Sequence, residues 1–92
     1  MSTAVQGRRL VRKDESLKIL GDSKTQLHEK IKRGAMVAPV KIGGRVVAFP
    51  SDELDAIVSA RVAGLGEADM RALVDRLHAQ RKVSLAALLG QQ

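Results

Sequence analysis

The stretch Leu20-Gly21-Asp22-Ser23-Lys24-Thr25-Gln26-Leu27-His28-Glu29-Lys30-Ile31-Lys32-Arg33-Gly34 holds a helix stop, a helix start and a second stop within 15 residues. Glycine accepts the left-handed conformation in which many helices end, so Gly21 closes the helix before it. Ser23-Lys24-Thr25-Gln26 fits a capping box, in which the serine hydroxyl and the glutamine side chain satisfy backbone amides reciprocally. The helix so started is expected to run to about Arg33 and stop at Gly34. Leu27 and Ile31 form its narrow apolar stripe, while Lys24, Thr25, His28, Glu29, Lys30, Lys32 and Arg33 leave a broad polar face.

Working outward, a preceding helix is expected from about Lys13 to Leu20. Leu17, Ile19 and Leu20 supply its apolar residues, and Asp14 and Glu15 suit its N-terminus. Before it stand a short apolar pair, Leu10 and Val11, and a polar tail, residues 1–7. On the other side the period changes. Val40-Lys41-Ile42, Gly43-Gly44 and Arg45-Val46-Val47-Ala48-Phe49 read as strand, tight turn and strand, entered at Pro39 and ended by Pro50. Ser51 is the expected cap of a third helix, with Asp52 and Glu53 in its first turn. Leu54, Ile57, Val58 and Val62 recur at helical spacing up to Gly64, and Gly64-Leu65-Gly66 reads as a hinge. A fourth helix is expected from Glu67 to Gln80, with Met70, Leu73, Val74 and Leu77 on one stripe. The apolar stretch Val83 to Leu89 has no assigned state. The expected fold is mainly α with a small β-hairpin, divided into a tail (1–7), a unit of three helices and the hairpin (8–64) and a C-terminal helical extension (65–92).

Composition narrows the function classes. Ninety-two residues allow one small domain, and the absence of cysteine removes disulfides and thiolate metal sites. The two histidines stand far apart, so no metal or other cofactor is expected. No apolar run suits a signal peptide or a membrane span, and the expectation is a soluble, cytoplasmic, nucleoid-associated protein. Residues 1–49 carry 11 Lys/Arg against 4 Asp/Glu, a balance of +7, whereas residues 50–92 carry 5 against 6, a balance of −1. Such asymmetry suggests directional contact with a polyanion. No phosphate-binding loop, zinc-protease motif or nucleophile elbow is present, so an enzyme is not expected.

Two short helices joined by Gly21-Asp22-Ser23 make a helix-turn-helix, whose second helix in DNA-binding proteins enters the major groove. Together with Glu15-Ser16-Leu17, Ile31-Lys32-Arg33-Gly34 and Pro39-Val40-Lys41-Ile42-Gly43-Gly44-Arg45, this turn resembles the AlpA-type phage regulators, related in fold to excisionases and to the DNA-binding part of MerR-type regulators. The resemblance spans about residues 9–62 and implies a winged helix-turn-helix with the Gly-Gly hairpin as wing. Members of that group usually place an apolar residue where Asp22 stands and an aromatic where His28 stands.

The expected DNA-contacting residues are Ser23, Lys24, Thr25, His28, Glu29 and Lys32 on the second helix, and Lys41 and Arg45 on the wing. Arg8, Arg9 and Arg12 would serve as a basic arm. Each has a plainer reading as well: a solvated helix face, a charged edge hairpin, an ordinary tail, and for Glu29 an ion pair with Lys32 or Arg33. Met70, Leu73, Val74 and Leu77 either close the core or mediate self-association on DNA. Two outcomes stay open for a double-stranded-DNA binder of this type: transcription regulation, or bending of attachment-site DNA to direct a phage-type integrase partner towards excision. A protein-interaction module working without DNA is the remaining class.

Overall fold

The computed structural model describes residues 8–90, so the expected tail over residues 1–7 lies outside the described residues. The chain runs β1 (Leu10–Arg12), α1 (Lys13–Leu20), α2 (Lys24–Lys32), β2 (Val40–Gly43), β3 (Val46–Pro50), α3 (Ser51–Val62) and α4 (Glu67–Leu88). The described residues thus form four helices and a three-stranded antiparallel sheet ordered β1-β3-β2. No helix among the described residues is long and apolar enough to cross a membrane.

Local signals set the first two helices. Gly21 adopts φ 75° and, with Asp22, donates its amide to the Leu17 carbonyl, closing α1. At the start of α2, Gln26 N donates to Ser23 Oγ at 3.1 Å while Ser23 N donates to Gln26 Oε1 at 2.9 Å, completing the capping box.

Strand β1 is a residue-level surprise, because three residues carry no periodic pattern of their own. It forms by pairing with β3, with Val11 opposite Phe49 and Arg12 opposite Ala48. Both Val11 and Phe49 are buried in the core. The buried Ser16 hydroxyl then lies 2.9 Å from the Arg12 carbonyl and 3.2 Å from that of Val11, and donates to them, fixing the abrupt passage from β1 into α1.

The hairpin differs in detail from its sequence reading. Gly43 pairs with Val46 and Lys41 with Val47, so Ile42 is an extra residue, a bulge in β2. That residue moves the turn one position along, onto Gly44 and Arg45, and Arg45 occupies the tip instead of starting the strand. Gly44 supplies the positive φ the turn needs. Ser51 also departs from expectation. Pro50 occupies the cap position of α3, and the Ser51 hydroxyl instead accepts the Arg9 amide at 2.8 Å.

Helix α4 outruns its expected end at Gln80 by two turns. Met70 and Val74 are buried, and Leu73 and Leu77 pack against the same core as Phe49, Leu54 and Ile57. Of the two readings of this stripe, core or self-association, its packing follows the first. Beyond it Leu85, Leu88 and Leu89 are exposed, as is Val62 at the end of α3.

Two polar ties hold α4 and α2 in place. Glu53, buried in the first turn of α3, takes both nitrogens of the Arg81 fork at 2.8 and 2.6 Å. These hydrogen bonds outweigh partial burial and raise the Arg81 pKa above its ordinary value. Arg81 and His78 also hold Ala38, the former donating to its carbonyl at 2.8 Å, the latter accepting from its amide at 3.0 Å. The second tie centres on Asp22, whose carboxylate accepts from Lys30 at 2.8 Å and faces Arg61 at 3.1 Å. The Arg61 contact lacks hydrogen-bond alignment and is chiefly coulombic, but Arg61 also donates to the Leu20 carbonyl at 3.2 Å. A buried carboxylate thus binds the α1–α2 turn to α2 and α3, in a place where an apolar residue would bind it by packing. Asp22→Ala is expected to cost about 2 kcal/mol in urea unfolding, below the usual loss for a broken buried pair because both cations retain some access to water. An unchanged midpoint would show that the network contributes nothing.

Candidate nucleic-acid interface

The expected residues of α2 form one outward face. Lys24, His28 and Lys32 stand four apart in a column, with Thr25 and Glu29 beside it, and all five side chains are exposed. Ser23 is exposed at the tip, but its oxygen already accepts the Gln26 amide. Glu29 makes no ion pair with Lys32 or Arg33 among the described residues; Arg33 turns instead to Glu67 at 3.4 Å.

Across from this column stands the hairpin. A cleft of about 250 Å³ lies between them, floored by Leu27, Ile31, Pro39, Val47 and Phe49 and edged by Lys13, His28 and Arg45. A neighbouring cleft of about 300 Å³ shares Lys13, Arg45 and Val47 and adds Arg12, Asp14 and Val46. Lys41 pairs with Val47, and residues directly opposite in a sheet share a face, so Lys41 lies on the cleft side. The structure therefore places Lys13, His28 and Arg45 on one cleft and Arg12 on its neighbour, while Lys24 and Lys32 stand on the exposed α2 column that carries His28.

The proposed arm divides. Arg8 sits 3.2 Å from Asp52 and Arg9 sits 3.7 Å from Glu15, whereas Arg12 has no acidic partner among the described residues and lines the larger cleft. Lys13 was legible only as the first residue of a helix. It joins the interface because β1 adds to β3, a pairing no local pattern announces. Its Nζ lies 2.9 Å from His28 Nε2, within hydrogen-bond distance.

Ion pairing sorts the cations of the described residues. Arg8, Arg9, Lys30, Arg33, Arg61, Arg71 and Arg81 each face a carboxylate. Among the described residues, Arg12, Lys13, Lys24, Lys32, Lys41 and Arg45 face none, and all six belong to α2, the hairpin or the β1–α1 junction. Lys18, Arg76 and Lys82 are the other cations without an acidic partner. Asp14 and Glu29 are the acids that lie among the six.

No group of His, Cys, Asp or Glu among the described residues could hold a metal ion. Comparison with protein-family models, curated proteins and solved structures finds no match for the chain.

Proposed function

We propose that this chain is a sequence-specific double-stranded-DNA-binding protein, a winged helix-turn-helix regulator of the AlpA type. In this reading α2 lies in the major groove, with Lys24, Thr25, His28, Glu29 and Lys32 towards base edges and phosphates. The hairpin lies over the adjacent backbone and minor groove, with Arg45 at its tip. The observation that carries the reading is the sorting of charge: cations without a carboxylate gather on the elements flanking one cleft, while those elsewhere mostly hold the fold together. A protein surface selected only for solubility intersperses both signs.

Binding to duplex DNA should weaken with salt, log affinity falling against log salt with a slope of about −0.9 for each phosphate neutralised. A flat response in a fluorescence-anisotropy titration would remove the DNA reading. Lys24→Ala with Thr25→Ala should weaken binding to the specific site more than to unrelated duplex, since those side chains are assigned to base readout. Arg45→Ala should weaken both alike, and equal losses from all three would count against α2 as the reading helix. Footprinting around the gene's own promoter and any nearby attachment site would locate the specific site.

A further inference from the structure

We infer that the cleft between α2 and the hairpin takes one phosphodiester of a DNA strand, held from its two banks by Lys13 and Arg45. The inference rests on the DNA-binding reading above and assigns a phosphate ligand, Lys13, that the charge pattern of the sequence does not single out.

The argument begins with DNA geometry. The major groove and its neighbouring minor groove are separated by a single sugar–phosphate strand. A protein with a helix in one and a hairpin over the other must let that strand pass between the two elements. Here the space between them is the cleft edged by Lys13, His28 and Arg45. Its floor is apolar, which suits the carbon-rich face of a deoxyribose, and its rim is cationic, which suits the phosphate.

The chemistry of the rim agrees. Lys13 has three ammonium donors, and its 2.9 Å contact with His28 Nε2 holds the group at the cleft while engaging at most one of them, which leaves two for phosphate oxygens. Arg45 has no hydrogen-bonded or ion-paired partner among the described residues, and its planar fork matches a phosphate. Asp14 lines the larger cleft but pairs with neither cation. Ser16, by holding the β1–α1 junction, places Lys13 there without help from the ligand. Arg8 and Arg9, the more obvious basic pair, are already turned to Asp52 and Glu15.

The test is the salt dependence of binding to a short mixed-sequence duplex, measured for the wild type, Lys13→Gln, Arg45→Gln, the double variant and Lys18→Gln. Lys18 is exposed on α1 and takes no part in the cleft. If both side chains grip one phosphate, either alone still partly neutralises it. Each single variant then flattens the slope by less than the double, and the double flattens it by about 0.9. Lys18→Gln leaves the slope unchanged. A double variant that flattens it by about 1.8 means two separate phosphates and overturns the shared site. A double variant with the wild-type slope removes the cleft from the interface while leaving the DNA reading in place. A wild-type protein with no salt dependence overturns both. Far-UV circular dichroism of each variant confirms that the comparison is between folded proteins.

Discussion

A chain carrying Lys24→Ala, Lys32→Ala, Lys41→Ala and Arg45→Ala together is expected to remain folded and to bind duplex DNA about a thousandfold more weakly near 0.15 M salt. The size, for the specific site, combines two losses. Lys32 and Lys41 at about 0.9 each flatten the slope by about 1.8, roughly 1.5 decades at that salt, with a smaller addition from Arg45, which shares its phosphate with Lys13. Removing Lys24 from base readout costs about 1–3 kcal/mol, roughly one to two decades. The fold should survive, because all four side chains are exposed and none faces a carboxylate among the described residues. Exposed substitutions of this kind usually fall within about 0.5 kcal/mol each. The informative control removes cations of the other sort. Arg71 donates to the Arg33 carbonyl at 2.9 Å, where α2 ends, and to Glu67 at 2.7 Å. Arg71→Ala should lower the unfolding midpoint and leave the salt slope of binding as it was. If the fourfold variant bound as tightly as the wild type, the charge sorting would have no bearing on DNA.

The second large effect concerns stability and has a definite asymmetry. Arg81→Met is expected to cost about 4 kcal/mol, and Glu53→Ala about 2 to 3 kcal/mol, in urea unfolding. The side chain of Glu53 is 3% exposed and that of Arg81 is 25% exposed. Removing arginine strands a carboxylate away from water, whereas removing glutamate leaves a guanidinium that still reaches solvent and the Ala38 carbonyl. Replacing both at once, Glu53→Met with Arg81→Met, should recover much of the loss, because a well-packed apolar pair can match a buried ion pair. Two equal single losses that simply add in the double variant would show that the residues act separately.

How far the sequence could be read divides along the range of the signals. Helix α1, the start of α2 and the existence of the hairpin were legible because each depends on residues within one or two turns: Gly21, the Ser23–Gln26 box, and a glycine pair between β-branched runs. What escaped depends on residues far apart in the chain. Strand β1 exists only because Val11 meets Phe49, and with it came Lys13. The Ile42 bulge, which carries Arg45 to the tip, is a matter of register between strands. Ser51 looks like a helix cap until Arg9 supplies another use for its hydroxyl. The extension of α4 was hidden because Arg81 falls on its inward stripe, where charge reads as an interruption; only Glu53, 28 residues earlier, makes that position habitable. The exposed polar face of α2 was legible for a related reason: exposure alone defines it, and one helical period reveals that.

Ala38 lies on the passage from α2 to the hairpin, and both halves of its peptide functionality are gripped by α4, the amide by His78 and the carbonyl by Arg81. The helix that contributes no charge to the cleft therefore acts as its caliper. On the proposed function the two elements straddle a DNA strand, and the width of that stance is gauged by residues of α4 that line neither cleft. On that proposal, substitutions at His78 or Arg81 would alter the fit of the two elements to DNA without touching any residue assigned to the contact.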